Sequence, residues 1–258
     1  MLVHPDGDGV IAIGQPAHAW LSGQLARAWG NERFGAVEPW EEVCLAAEQH
    51  DIGMAEWERR PALNPQTGLP RSFMELELDD HLEIWWSAAP LVVPQSRYAA
   101  LLVSMHGSSL YQRRDLARLQ PPDVARVREF LAGQRELQAH LLAGLRADPR
   151  TASAAADAVV RRNRRLVWAW DSLSLGLLLD WVPYELAAVP AADGERDIAV
   201  RVGVGGAITL DPWPFGAPRL TVRCEGRRLA GRFDDDAALQ HALAAAPWVT
   251  VEVELAAR

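Results

Sequence analysis

The hydrophobic period of the chain changes once, at Pro183, and that change limits the folds open to it. Upstream, apolar residues recur at helical spacing in segments closed by proline or by turn-rich stretches. These read as a helix over 17–29 and a second one from Pro39 that carries Val43, Ala46, Ala47, His50, Asp51 and Met54 inward. Further helical patterns cover 72–88, 96–116, 122–147 and 152–181. Downstream, stretches such as Leu220-Thr221-Val222-Arg223-Cys224 and Val249-Thr250-Val251-Glu252-Val253 alternate in the manner of strands. The expected fold class is mainly α. A helical domain over residues 1–185 carries a small antiparallel β appendage over 186–258, with one helix at 235–246 laid on it. An N-terminal hairpin, turning at Asp6-Gly7-Asp8-Gly9, is placed to lend strands to that appendage and so join the two parts into one domain.

With 258 residues, 49% of them apolar and 23% charged, the chain can bury a full core without disulfides or structural staples. A formal charge of −8 excludes a general binder of nucleic-acid backbones. All 26 basic residues are arginine, which removes lysine Schiff bases and lysine acid–base catalysis from consideration. Cys44 and Cys224 form no CxxC pair or secreted framework, so a reducing cytoplasm is the expected compartment. No apolar run reaches the roughly 18 residues of a membrane span, and no membrane partner is expected.

Four of the seven histidines, His18, His50, His81 and His106, fall one to each of four successive helical segments. His50 is followed at once by Asp51, and Asp171 interrupts the strongly apolar stretch Leu166 to Leu175. A buried carboxylate needs a compensating charge, and imidazoles with carboxylates suit iron, manganese, zinc, cobalt or nickel better than calcium. Four histidines and two aspartates are enough for two divalent or mixed-valence ions, with Asp51 placed to bridge them. Adjacent residues of a helix point about 100° apart, so His50 and Asp51 share a centre only over the ridge between them. His4, His140 and His241 lack this setting and read as surface residues.

The string His50-Asp51-Ile52-Gly53 is similar to the signature of the HD-domain superfamily, helical metal-dependent phosphohydrolases named for an adjacent His-Asp pair. The resemblance covers roughly residues 14–182. It implies an HD-like helical bundle in which His18, His50, Asp51 and Asp171 hold a metal, with His81 and His106 as the additional ligands of a binuclear site. Met54 stands where many members carry a basic residue, and the long interval after His106 leaves Asp157 as a competitor to Asp171. Over its whole length the chain also resembles an uncharacterised bacterial family, through Gln15-Pro16-Ala17-His18-Ala19 and Tyr98 to His106.

The function implied is hydrolysis of a phosphate ester or similar small anionic metabolite, with His50 and Asp51 at the catalytic centre. A di-iron oxygenase and a non-catalytic metal- or ligand-binding module are the alternatives. Arg59, Arg97 and Arg113 are the candidates for gripping the anion, because a guanidinium fork matches phosphate and carboxylate. Glu48, Glu56 and Glu83 are candidate partners for the imidazoles. Tryptophans near the ligands, among them Trp85 and Trp168, read first as core packing and second as pocket walls. The pattern is compatible with self-association and names no further partner.

Overall fold

The computed structural model describes residues 1–258, the side chain of Val204 excepted. Strands β1 (Leu2–Asp6) and β2 (Gly9–Ile13) form a hairpin whose two-residue turn places Gly7 at φ +59°, a region that costs glycine little. Helix α1 (Gln15–Ala28) follows, with Pro16 in its first turn, where its missing N–H does no harm. Helix α2 (Trp40–Gln49) ends just before the His50-Asp51 pair, and a single turn, α3 (Met54–Trp57), resumes after it. A two-residue ribbon, β3 (Leu63–Asn64) with β4 (Leu69–Pro70), leads to α4 (Leu78–Val92) and α5 (Arg97–Gln112). Two long helices come next, α6 (Pro121–Ala147) and α7 (Asp157–Leu178).

The remaining elements are β5 (Tyr184–Ala191), β6 (Gly194–Val202), β7 (Ile208–Asp211), β8 (Arg219–Ala230), α8 (Asp236–Ala245) and β9 (Trp248–Ala257). With the hairpin they make a seven-stranded sheet in the order β1-β2-β8-β9-β7-β6-β5. All its pairings are antiparallel except β7 with β9. Asp235 caps α8 by accepting a hydrogen bond from the Ala238 backbone, as the run of three aspartates suggests.

The expectation of a mainly α bundle with a minor β appendage is therefore overturned. Helix takes 49% of the residues and strand 23%, and the sheet is a curled half-barrel that dominates one side of the molecule. One feature hid its extent. Strand β5 carries a register shift between Leu186 and Val189, with Ala188 at φ +54°, so its apolar residues do not alternate and it reads as a linker. The hairpin does join the C-terminal strands, as expected, by pairing with β8 across more than 200 residues of sequence, and it carries the sheet to seven strands, well beyond a small appendage.

One contiguous apolar core joins the sheet to the helices. It includes Leu2 and Ile13 of the hairpin, Leu21 and Leu25 of α1, Leu102 of α5, Trp170 of α7, and Val222 and Leu255 of the sheet. The Gln24 side chain fixes α1 to β8 twice, accepting from the Arg223 N–H at 3.1 Å and donating to its carbonyl at 2.7 Å. Buried Asn163 of α7 donates to the Glu38 carbonyl at 2.7 Å and shares a 2.9 Å hydrogen bond with the Tyr98 hydroxyl, pinning the entry of α2 against α5 and α7. These links hold α1, α2, α5 and α7, the four elements around the site, in one frame.

Candidate metal centre

The His50-Asp51 pair sits in the break between α2 and α3, where the backbone bonds run from residue i+3 to i: Ile52 to Gln49, Met54 to Asp51, Ala55 to Ile52. This tighter winding, outside the body of a helix, lets two neighbouring side chains reach one centre. The break is held close to α4 by Gly53, where an added Cβ would stand 2.3 Å from the Ile84 carbonyl oxygen.

Opposite the pair, α1 presents His18 and α7 presents Asp171. The His18 Nε2 lies 3.1 Å from the His50 Nε2, 3.2 Å from Asp51 Oδ2 and 3.2 Å from Asp171 Oδ1. The His50 Nε2 lies 3.5 Å from Asp51 Oδ2 and 3.3 Å from Asp171 Oδ1. Two ligand atoms each about 2.1 Å from one ion, at angles between octahedral and tetrahedral, stand about 3.0–3.4 Å apart. The two histidines thus stand from each other and from each carboxylate at about the spacing of a coordination shell. From α5, His106 places its Nε2 3.7 Å from the other oxygen of Asp171, so that carboxylate faces two positions at once. Two groups, His18-His50-Asp51 and His50-His106-Asp171, have the geometry to hold a cation.

The outer nitrogens of the two central rings are fixed by the chain. His50 Nδ1 lies 2.8 Å from the Ala47 carbonyl, which can only accept, so Nδ1 bears the proton and Nε2 offers its lone pair inward. The Ser174 hydroxyl donates back to the Asp171 carbonyl at 2.9 Å and, its proton so used, accepts from His18 Nδ1 at 2.7 Å. Ser22 supports Ser174 at 2.8 Å. Orienting bonds of this kind are the usual outer layer of a metal site.

Burial and charge set the protonation. Burial alone would lower the pKa of His18, but hydrogen bonds to Asp171 and Asp51 and their charges carry it up to about 9. His50 is raised by the same two carboxylates against its burial. Burial pushes Asp51 and Asp171 towards the neutral form, and the facing imidazoles more than reverse it, holding both ionised. His106 is drawn down to about 4 by burial and stays neutral at physiological pH. Its Nδ1 is buried without a hydrogen-bond partner. Two buried carboxylates require two positive charges, from two protons shared with the histidines or from a divalent ion. Of the five side chains, His18 and His50 are fully buried, and Asp51 and Asp171 keep a small exposure of 5% and 7% that gives the centre its contact with solvent.

Asp157, the competitor for the last position, is at the solvent-exposed start of α7 and pairs with Arg146 at 2.5 Å; the structure brings Asp171 to the centre instead. His81 stands apart from the cluster. Its Nε2 accepts from the Trp85 indole at 3.2 Å and its Nδ1 is bonded to the Tyr111 hydroxyl. Glu48 pairs with Arg27 at 2.8 Å, Glu56 with Arg59 at 3.0 Å, and Glu83 is exposed; among the described residues none of them bonds a histidine ring. Ser174, Ser22 and the Ala47 carbonyl hold the rings, and no sequence signal beyond a serine one turn after Asp171 pointed to them.

The three arginines part ways. Arg59 is exposed and committed to Glu56, beside a cavity of about 710 Å³ between α3 and α4 that also carries Asp80 and Glu83 and so suits no anion. Arg97 begins α5, nine residues before His106 and hence about 13 Å along the helix axis from it. Arg113 lies over the Trp168 ring at 4.0 Å, and that ring packs on His106 with centroids 5.5 Å apart. The His4 Nδ1–H donates to the Leu178 carbonyl at 2.9 Å and the ring is half-buried, not on the open surface, while His140 and His241 are exposed as expected.

No helix is long and apolar enough to cross a membrane. A family model described as "Protein of unknown function (DUF3891)" matches residues 1–231, and the chain belongs to that family. No curated protein and no solved structure matches the chain.

Proposed function

We propose that this DUF3891 chain is a metal-dependent hydrolase of a small anionic ester, built on a His/Asp centre that resembles that of the HD-domain superfamily. The observation that carries the reading is the convergence of His18 and His50, on each other and on Asp51 and Asp171, at about coordination-shell spacing. The donor set fits a first-row transition metal: two oriented imidazoles, two ionised carboxylates, and an outer hydrogen bond behind each central ring.

His18 Nε2, His50 Nε2, Asp51 Oδ2 and Asp171 Oδ1 would hold one ion, and His106 Nε2 with Asp171 Oδ2 would reach a second. Bound metal at such a site lowers the pKa of a water and polarises the scissile bond. The chain supplies the rest. Asp51 and Asp171 are buried but keep slightly more exposure than the two central histidines, so water and substrate would reach the centre past them. Trp85 and Trp168 flank His106 at 5.4 and 5.5 Å between ring centroids and restrict water there to the carboxylate side. Arg113, stacked on Trp168, offers its guanidinium edge to an incoming anion.

The test is elemental mass spectrometry of untagged protein purified without chelator, followed by hydrolysis assays with phosphate monoesters. Wild-type protein should carry at least one manganese, iron, cobalt, nickel or zinc ion per chain and turn over an ester, and His50→Ala and Asp51→Ala should lose both properties. Arg97→Ala should keep them. Metal content unchanged in the His50 and Asp51 variants would overturn the reading, and iron with oxygen uptake in place of ester turnover would replace hydrolysis by oxygenation.

A further inference from the structure

A second cavity, of about 340 Å³, lies between α7 and β5, on the face of α7 next to the one that carries Asp171. Its walls include Arg113, Trp168, Ser172, Trp181, Tyr184 and Leu186. Three aromatic rings around an apolar strand face make it a site for a flat organic body. Gly176 lets Tyr184 lie directly on α7, since a Cβ there would stand 2.4 Å from the Tyr184 hydroxyl oxygen.

The charges around the cavity are unequal in their freedom. Arg165 is spent on Glu195 and on the Ala188 carbonyl. Arg113 has no carboxylate within ion-pair distance among the described residues and is held only by the Trp168 face. Stacking fixes the guanidinium plane while leaving its edge N–H groups for an acceptor, the arrangement that binds carboxylates in a bidentate way. Glu185, exposed on β5, also lines the cavity and has no arginine paired to it. It disfavours a doubly charged ligand, so a monoanion suits the cavity better than a phosphate dianion.

We propose that this cavity binds a planar organic carboxylate, its charge on the edge of Arg113 and its ring among Trp168, Trp181 and Tyr184. Trp168 stands between the cavity and His106, so the bound carboxylate would lie one aromatic ring from the metal centre. Resting on the hydrolase reading, the cavity would hold the part of the substrate that does not react, making the substrate an ester whose leaving group carries an aromatic or similarly flat acid.

Calorimetric titration with 2-naphthoate, and with neutral 2-naphthamide for comparison, tests the cavity without turnover, on both metal-free and metal-loaded protein. Naphthoate should bind at least tenfold tighter than the amide. Arg113→Ala should erase that preference and Arg97→Ala should leave it intact. Glu185→Gln, at an exposed strand position, should tighten naphthoate about two- to threefold. Failure of either probe to bind, no preference for the acid, or a preference unchanged by Arg113→Ala overturns the proposal. A preference that depends on Arg113 in protein without hydrolytic activity supports the cavity site and counts against the hydrolase reading alone.

Discussion

Replacing Ser174 by alanine probes the centre without touching a ligand atom. The hydroxyl accepts from His18 Nδ1 at 2.7 Å in a wholly buried setting, and alanine removes that acceptor while deleting one oxygen from the core. The Asp171 carbonyl loses only a supplementary bond, and Ser22 keeps the His18 and Trp170 carbonyls at 3.4 Å as alternatives. The main consequence is a buried N–H left without a partner, at a cost of about 1–3 kcal/mol. At about 1.4 kcal/mol per tenfold change, that corresponds to a loss of roughly 5- to 140-fold in metal affinity if His18 binds through Nε2. Removing outer partners of metal-bound histidines typically costs about 10- to 100-fold, inside that range. Competition of Ser174→Ala against a chromophoric chelator, with manganese or zinc, reads the change directly. Ser22→Ala, which supports Ser174 without touching the ring, should cost less. Affinity in Ser174→Ala within twofold of wild type would refute the placement of His18 Nε2 in the coordination shell.

The metal-free protein should lose stability as the pH rises. His18, with its pKa raised from 6.5 to about 9, contributes stability that is fully present below pH 6.5 and is gone once the pH has passed about 9. Metal binding has the opposite dependence, since it must displace protons from His18 and His50, so the gap in Tm between metal-loaded and chelator-treated protein should widen from pH 6 to 9; a constant gap would contradict the shared-proton picture. His106→Ala should lower the number of bound ions while sparing the tightest, because the group His18-His50-Asp51 is complete without it. In elemental analysis His81→Ala should retain that tightest ion too, its ring being held by Tyr111 and Trp85. Gly53→Ala would drive a methyl group into the Ile84 carbonyl, and urea unfolding should show a loss of about 1–3 kcal/mol together with weaker metal binding.

How far the sequence revealed the molecule follows from the range of each interaction. The helices were legible because their period is local: the pattern over 122–147 became α6 (Pro121–Ala147), and 96–116 became α5 (Arg97–Gln112). The convergence of the central histidines and aspartates was legible for a chemical reason. Asp171 in an apolar helix and an adjacent His-Asp pair are costly to bury without one another, so the residues that broke the hydrophobic pattern were those that had to meet. His81 broke no such rule. A histidine beside an aromatic and a tyrosine can satisfy both nitrogens locally, as Trp85 and Tyr111 do, and its position on α4 alone could not distinguish a ligand from a satisfied ring. The joining of the hairpin to the tail was anticipated, but the sheet's extent was underestimated because the bulged strand β5 does not alternate. Once β2 pairs with β8, the side chain of Gln24 ties α1 to the same strand, so the sheet helps to hold the helix that presents His18. The strands that looked peripheral in sequence are therefore part of the support of the His/Asp cluster, and substitutions along β8 facing α1 should act on it through α1 rather than through any contact of their own.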